Sequence, residues 1–124
     1  MNRAIKNHYL ACDLYAFLKK MEMWDGTIIY YNGIAWTDSE SWGGESGTEV
    51  EPGVYQYDRD PRDYMRYCDP TTVSVSFEGG LYEVVNSFGA DPYGYCWNRL
   101  NEIFKEYGYF FELGTYTTLY ACDV

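Results

Sequence analysis

Apolar residues along the first twenty-odd positions recur with a helical period. Leu10, Leu14, Phe17, Leu18 and Met21 fall at i, i+4, i+7, i+8 and i+11, which predicts a helix over Ala4–Met23 with one buried stripe. Asp13, Lys19 and Lys20 lie off that stripe, and the two lysines sit where cations complement the negative end of a helix dipole. The period then drops to two. Thr27–Tyr31 and Ile34–Thr37 read as strands flanking Asn32-Gly33, a dipeptide that accepts the positive φ values of a two-residue type I′ hairpin turn.

From Asp38 to Pro52 the periodicity disappears. Ser39, Ser41, Gly43, Gly44, Ser46 and Gly47 offer little side chain to bury, so this stretch reads as a loop with Trp42 in its middle. Gly53–Tyr57 reads as a short strand. Asp60 as N-cap, Pro61 at the first helical position and Asp63 at the third then predict a short helix running to Cys68. Thr71–Phe77 alternates cleanly, with Val73, Val75 and Phe77 facing one way and Thr72, Ser74 and Ser76 the other. Beyond Gly79-Gly80, residues Leu81, Val84, Val85 and Phe88 predict one side of a short helix.

Asp91-Pro92 reads as the cap and first residue of a second long helix whose buried face is Cys96, Leu100, Ile103, Phe104 and Tyr107, with Trp97 beside it and Gly108 ending it. Tyr109–Leu113 and Tyr116–Cys122 form a closing hairpin joined through Gly114-Thr115. These elements predict a single α+β domain over residues 1–124. Its expected form is an antiparallel or mixed sheet of about five strands with two main helices packed on one face.

Composition sharpens this picture. Aromatic residues make up 20% of the chain, with fifteen Tyr against six Phe. Tyrosine joins an apolar ring to a polar tip, so it serves half-buried positions and contact surfaces alike. Net charge is −10. The acids are also segregated: Met21–Asp58 holds Glu22, Asp25, Asp38, Glu40, Glu45, Glu49, Glu51 and Asp58 without a single Lys or Arg. A second base-free run, Tyr67–Asn98, adds Asp69, Glu78, Glu83 and Asp91. Such a field repels phosphate, arguing against nucleic acid and anionic membrane as direct partners and favouring a basic protein surface. Arg59, Arg62 and Arg66 form the one basic cluster, placed to pair with neighbouring acids or to orient the acidic stretch.

Candidate chemistry is sparse. Cys12, Cys68, Cys96 and Cys122 are far apart, and His8 is the only histidine, so neither a zinc-site spacing nor a two-histidine metal motif occurs. The Asp58–Asp63 run lacks the glycine and closing Glu of a calcium loop, and Gly79-Gly80 is not part of a phosphate loop. His8 and Cys12, at i and i+4, can share a helix face, though no catalytic signature surrounds them. The expectation is therefore a non-enzymatic protein with no metal, no cofactor and no catalytic residue. The first residues lack a signal-peptide pattern, which places it in the cytoplasm of a bacterial host cell with reduced, mostly core cysteines.

In size, acidity, base-free runs and lack of a catalytic signature, the chain resembles the antirestriction and anti-CRISPR inhibitors of phages and other mobile elements, a class that shares no sequence motif. The resemblance implies a DNA-mimic mode, in which carboxylates occupy the basic groove of a nuclease or surveillance complex. The partner-binding candidates are Asp38, Glu40, Glu45, Glu49, Glu51 and Asp58, with Trp42 as an apolar anchor or as the pin folding the loop back onto the domain. Two other functions compete. One is a small enzyme or ligand-binding domain, recognisable by an aromatic-lined pocket with convergent carboxylates or Cys/His groups. The other is an acidic oligomeric subunit, recognisable by an exposed flat aromatic face.

Overall fold

A computed structural model describes residues 1–124. Helix α1 spans Arg3–Lys20, and the hairpin of β1 (Thr27–Tyr31) and β2 (Ile34–Thr37) follows. A small ribbon comes next, β3 (Ser41–Trp42) and β4 (Glu45–Ser46), then a second hairpin, β5 (Thr48–Glu51) and β6 (Val54–Tyr57). Strand β7 (Ser74–Phe77), helices α2 (Gly80–Ser87) and α3 (Gly94–Glu106), and a third hairpin, β8 (Tyr109–Thr115) and β9 (Thr118–Asp123), complete the chain.

Seven strands form one antiparallel sheet in the order β5-β6-β2-β1-β7-β9-β8, and the ribbon β3–β4 stands apart. The α+β expectation holds, with seven strands rather than about five and three α-helices. Four sequence-based boundaries change. Asp38–Pro52 is not a plain loop, because it contains β3, β4 and β5. Asp60 does cap a turn at Pro61, accepting from the Arg62 amide at 2.8 Å, but only a 3₁₀ turn over Pro61–Asp63 forms instead of a helix to Cys68. Helix α3 begins at Gly94, so Asp91-Pro92 lies in the preceding turn, and the last hairpin turns at Tyr116-Thr117 rather than Gly114-Thr115.

The core lies between the helices and one sheet face. Register puts Ile29, Trp36 and Val75 side by side on that face, where they join Leu10, Leu14, Leu18, Leu81, Leu100 and Phe104 in one buried cluster. Residue alternation along each strand sends the intervening side chains to the second face. There Tyr30, Ala35 and Met65 make a small cluster with Ile28, Trp42 and Cys68. The segment between β6 and β7 covers that cluster and reaches as far as β8, where a Cβ on Gly114 would come within 2.8 Å of the Tyr67 carbonyl. Phe88, expected on the buried side of α2, is 67% exposed, because it caps the helix in the left-handed conformation and turns away. Cys96 is buried, while the other three free cysteines are half-buried, so the thiols are less of the core than expected.

Helix α1 crosses the sheet obliquely. Arg3 pairs with Asp123 at 2.9 Å on β9, the strand next to the β8 edge. At the other end, Trp24 donates to the Gly53 carbonyl in the β5–β6 turn at 3.1 Å. Buried Asn7 ties the helix down, donating to the Thr71 carbonyl and accepting from the Tyr109 hydroxyl at 2.7 Å. With α2 and α3 packed over β7 and β8, only α1 stands over the β2–β6–β5 side.

Candidate functional site: an acidic face and an aromatic groove

All six carboxylates expected to bind a partner are exposed. Glu40, Glu45 and Glu49 surround the neighbouring rings of Tyr55 and Tyr57 on the second face of the sheet. The Glu49 carboxylate pushes the Tyr55 phenol up, with help from Glu40, and burial does the same for Tyr57, reinforced by Glu40 and Glu45. Asp58 joins Glu45 and Tyr57 around a shallow surface hollow. Asp38 lies at the other end of the ribbon, where its carboxylate accepts from the Gly26 amide at 3.3 Å.

Glu51 is separated from this group. A bulge in β5 between Glu49 and Glu51 changes the pairing step, so Glu49 stands opposite Tyr55 while Glu51 stands opposite Val54. Val54 points into the helix-side core, and Glu51 follows it to that side of the sheet. The six carboxylates therefore do not form one surface.

Trp42 is half-buried and acts as the pin. Its ring lies 5.3 Å from Tyr57 and 4.8 Å from Tyr64, centroid to centroid, and the Arg59 guanidinium stands 4.9 Å above it. Arg59 donates to the Trp42 carbonyl at 3.2 Å and to Glu45 at 3.1 Å, and also to the Tyr64 hydroxyl. The base-free run is thus given a base by the next segment. Arg59 is only 18% exposed, however, and neutralises Glu45 alone among the six carboxylates. Arg62 is likewise taken up by Asp60 at 2.8 Å, which holds the Asp60 carboxyl below its ordinary range.

A second feature lies on the opposite side of β5–β6. Where the sheet extends past α1, an open groove of about 870 Å³ runs along the helix. Its floor is Tyr31, Trp36 and Val54, and its outer wall is Val50 and Glu51. Its helix wall is the stripe His8, Cys12, Tyr15, Ala16 and Lys19, spaced i, i+4, i+7, i+8 and i+11, with Lys20 beside it. His8 Nδ1 is 2.9 Å from the Tyr31 hydroxyl, and His8 Nε2 is 3.6 Å from Cys12 Sγ. Burial, together with the carboxylates of Asp13 and Glu51, pushes the Cys12 thiol up, and burial pushes the Tyr31 phenol up. Both groups are held protonated, so Cys12 is a thiol that can share a proton with the ring and not an activated thiolate.

The His8–Cys12 pair was visible at helical spacing in the sequence. The groove around it was not, because its floor comes from strands far along the chain. No three His, Cys, Asp or Glu side chains come together in a way that could hold a metal ion, and no helix is long and apolar enough to cross a membrane. Comparison with protein-family models, with curated proteins and with solved structures finds no match for this chain.

Proposed function

We propose that the chain is a non-enzymatic binding protein that docks on a basic protein surface through the ribbon and the β5–β6 hairpin. The observation that carries this reading is the convergence of Glu40, Glu45, Glu49 and Asp58 around Tyr55 and Tyr57, with only Glu45 neutralised. Exposed carboxylates fixed on a rigid surface attract and orient lysine and arginine side chains, and opposite charge speeds encounter. Half-buried Tyr55 adds apolar area and a hydroxyl between the charges, a composition suited to an interface centre, while buried Tyr57 supports it from beneath with its hydroxyl donated to the Ser39 carbonyl at 2.7 Å. Arg59 and Trp42 contribute by holding the ribbon in place rather than by touching the partner. The partner class that fits is a bacterial nucleic-acid-handling protein, such as a restriction or CRISPR nuclease, whose basic groove the face would occupy.

Affinity capture from bacterial lysate at low and moderate salt, with a DNA-competition arm, tests this. A nucleic-acid-binding protein retained at low salt, released by added salt and displaced by DNA is the expected result. Capture that DNA does not displace would move the contact away from the groove. Capture insensitive to salt would refute an electrostatic face.

A second reading is favoured by the groove along α1, which has the aromatic floor and convergent Cys and His groups of a ligand-binding domain.

A further inference from the structure

The groove lies on the helix side of the sheet, away from the acidic face around Tyr55 and Tyr57, and its chemistry is different. We propose that it binds a small organic anion with an aromatic or branched apolar body, the body lying above the buried floor between Val50 and the exposed helix stripe and the anionic group reaching Lys19 and Lys20.

Three observations point to this occupant. A volume of about 870 Å³ falls within the roughly 300–1,000 Å³ of small-molecule sites and is far larger than a packing defect. The floor is almost wholly apolar, yet it is fixed by polar contacts: Trp36 Nε1 donates to Gln56 Oε1 at 3.0 Å, and Tyr31 is held by His8 at 2.9 Å. The two rings pack edge to face at 5.1 Å and are only 4% and 8% exposed, so the bottom of the groove is rigid before binding and most of the contact surface comes from Val50 and the helix stripe.

The third observation concerns charge. The chain carries nineteen acidic residues against nine basic ones. Arg3, Arg59, Arg62 and Arg99 are all taken up by carboxylates. Lys6, Lys19, Lys20, Arg66 and Lys105 are not, and of these five Lys19 and Lys20 are the ones exposed at the rim of the groove, with Lys19 5.9 Å from the Tyr15 ring. Both also complement the carbonyl end of α1, but neither needs to face the groove to do so. Glu51, on the opposite wall, repels an anion from the middle of the groove and leaves the lysine end as the favoured place for its charge. At the far end, His8 and Cys12 offer a hydrogen-bonding pair that can meet a neutral polar group on the body. A cation would find only Glu51 and would have to pass two lysines.

The test uses the intact protein and 8-anilino-1-naphthalenesulfonate, an aromatic anion whose fluorescence rises on burial, alongside the uncharged N-phenyl-1-naphthylamine. Wild type is expected to bind the anionic probe at one saturable site, with 1-naphthoate competing. Ala16→Trp, which fills the groove from an exposed helix position, should weaken both probes at least tenfold. Lys19→Glu/Lys20→Glu should weaken the anionic probe at least tenfold and the neutral probe less than threefold. Lys105→Glu, a single charge reversal placed on α3, should alter neither. Circular dichroism and thermal melts confirm that each variant is folded. Non-saturable binding, undiminished binding in folded Ala16→Trp, or equal losses of both probes in the lysine variant would each overturn the assignment.

Discussion

Arg59→Ala should loosen the acidic ribbon without removing a single carboxylate. The Arg59 side chain is 18% exposed and stacks on Trp42 and Tyr64, with its charge centre 4.9 and 5.4 Å from the two rings. Stacking of this kind on half-buried rings is worth roughly 1–2 kcal/mol. The charged hydrogen bond to the Trp42 carbonyl adds about 1.5 kcal/mol. The ion pair to Glu45 adds at most about 1 kcal/mol, since the Glu45 side chain is 62% exposed. Against these stands the Arg59 Nε, a buried donor with no partner, whose removal returns about 1 kcal/mol or more. The net loss is about 2 kcal/mol. With a urea slope of roughly 2 kcal/mol per molar for a chain of this size, the denaturation midpoint should fall by about 1 M. Arg59→Lys keeps the charge but loses the flat stacking surface and the forked donors, so it should recover no more than about half of that loss. Amide exchange adds a local readout, because the Gly47 amide closes the ribbon on the Glu40 carbonyl at 2.9 Å and should exchange faster in Arg59→Ala. An unchanged midpoint, or Arg59→Lys behaving as wild type, would refute the clamp.

Gly47→Ala should destabilise by about 1–3 kcal/mol, seen in thermal melts, because its Cβ would stand 2.7 Å from the Cβ of Tyr55 and 2.8 Å from the Tyr57 ring. Tyr107→Phe removes a hydroxyl that donates to the Asp13 carboxylate between α3 and α1, and should cost about 1.5–3 kcal/mol in urea titration. Alkaline titration should show two classes of tyrosine. Burial pushes Tyr30 up to about 12 and raises Tyr31 and Tyr107 as well. A phenol whose folded value is raised stabilises the fold fully below its unfolded value near 10, and that contribution is lost as pH climbs toward the folded value. Stability should therefore begin to decline above about pH 9, where the raised thiols of Cys12, Cys68 and Cys122 titrate in the unfolded chain, and more steeply above about pH 10, where absorbance at 295 nm should report the phenols ionising together with unfolding. Ordinary ionisation of every tyrosine near pH 10 in the folded protein would contradict the burial.

The elements legible in the sequence are those held together by local periodicity. Helix α1, the Asn32-Gly33 hairpin and the buried face of α3 follow from spacing and turn chemistry alone, and Asn32 and Gly33 do take positive φ values of 50° and 78°. Strand β5 was not legible because Thr48–Glu51 is exposed at every position. Its place is fixed by backbone pairing to β6, which leaves no apolar alternation to read. The Asp60–Cys68 segment reads as helical in the sequence for the opposite reason. Its capping signals are real, but packing of Met65 and the Trp42–Arg59–Tyr64 stack against the second sheet face fixes the chain after one turn. Within the site, the acidic character of the ribbon and hairpin was plain from composition. The departure of Glu51 depends on a bulge, and the groove depends on how far the sheet extends past α1, so both are set by distant pairing.

The most direct test of the acidic face compares three purified proteins against the partner retained in the capture experiment: wild type, Glu40→Lys/Glu49→Lys/Asp58→Lys, and Ala16→Trp. Affinity is measured by calorimetry across a salt series, with fold checked by circular dichroism. Interface charge contacts are worth roughly 0.5–1 kcal/mol each at an exposed rim, and reversal adds repulsion, so the triple variant should lose at least about tenfold in affinity and most of its salt dependence. Ala16→Trp, on the other side of the sheet, should bind as wild type does. Unchanged affinity in a folded triple variant would contradict the account, and loss of partner binding in Ala16→Trp would move the interface to the groove.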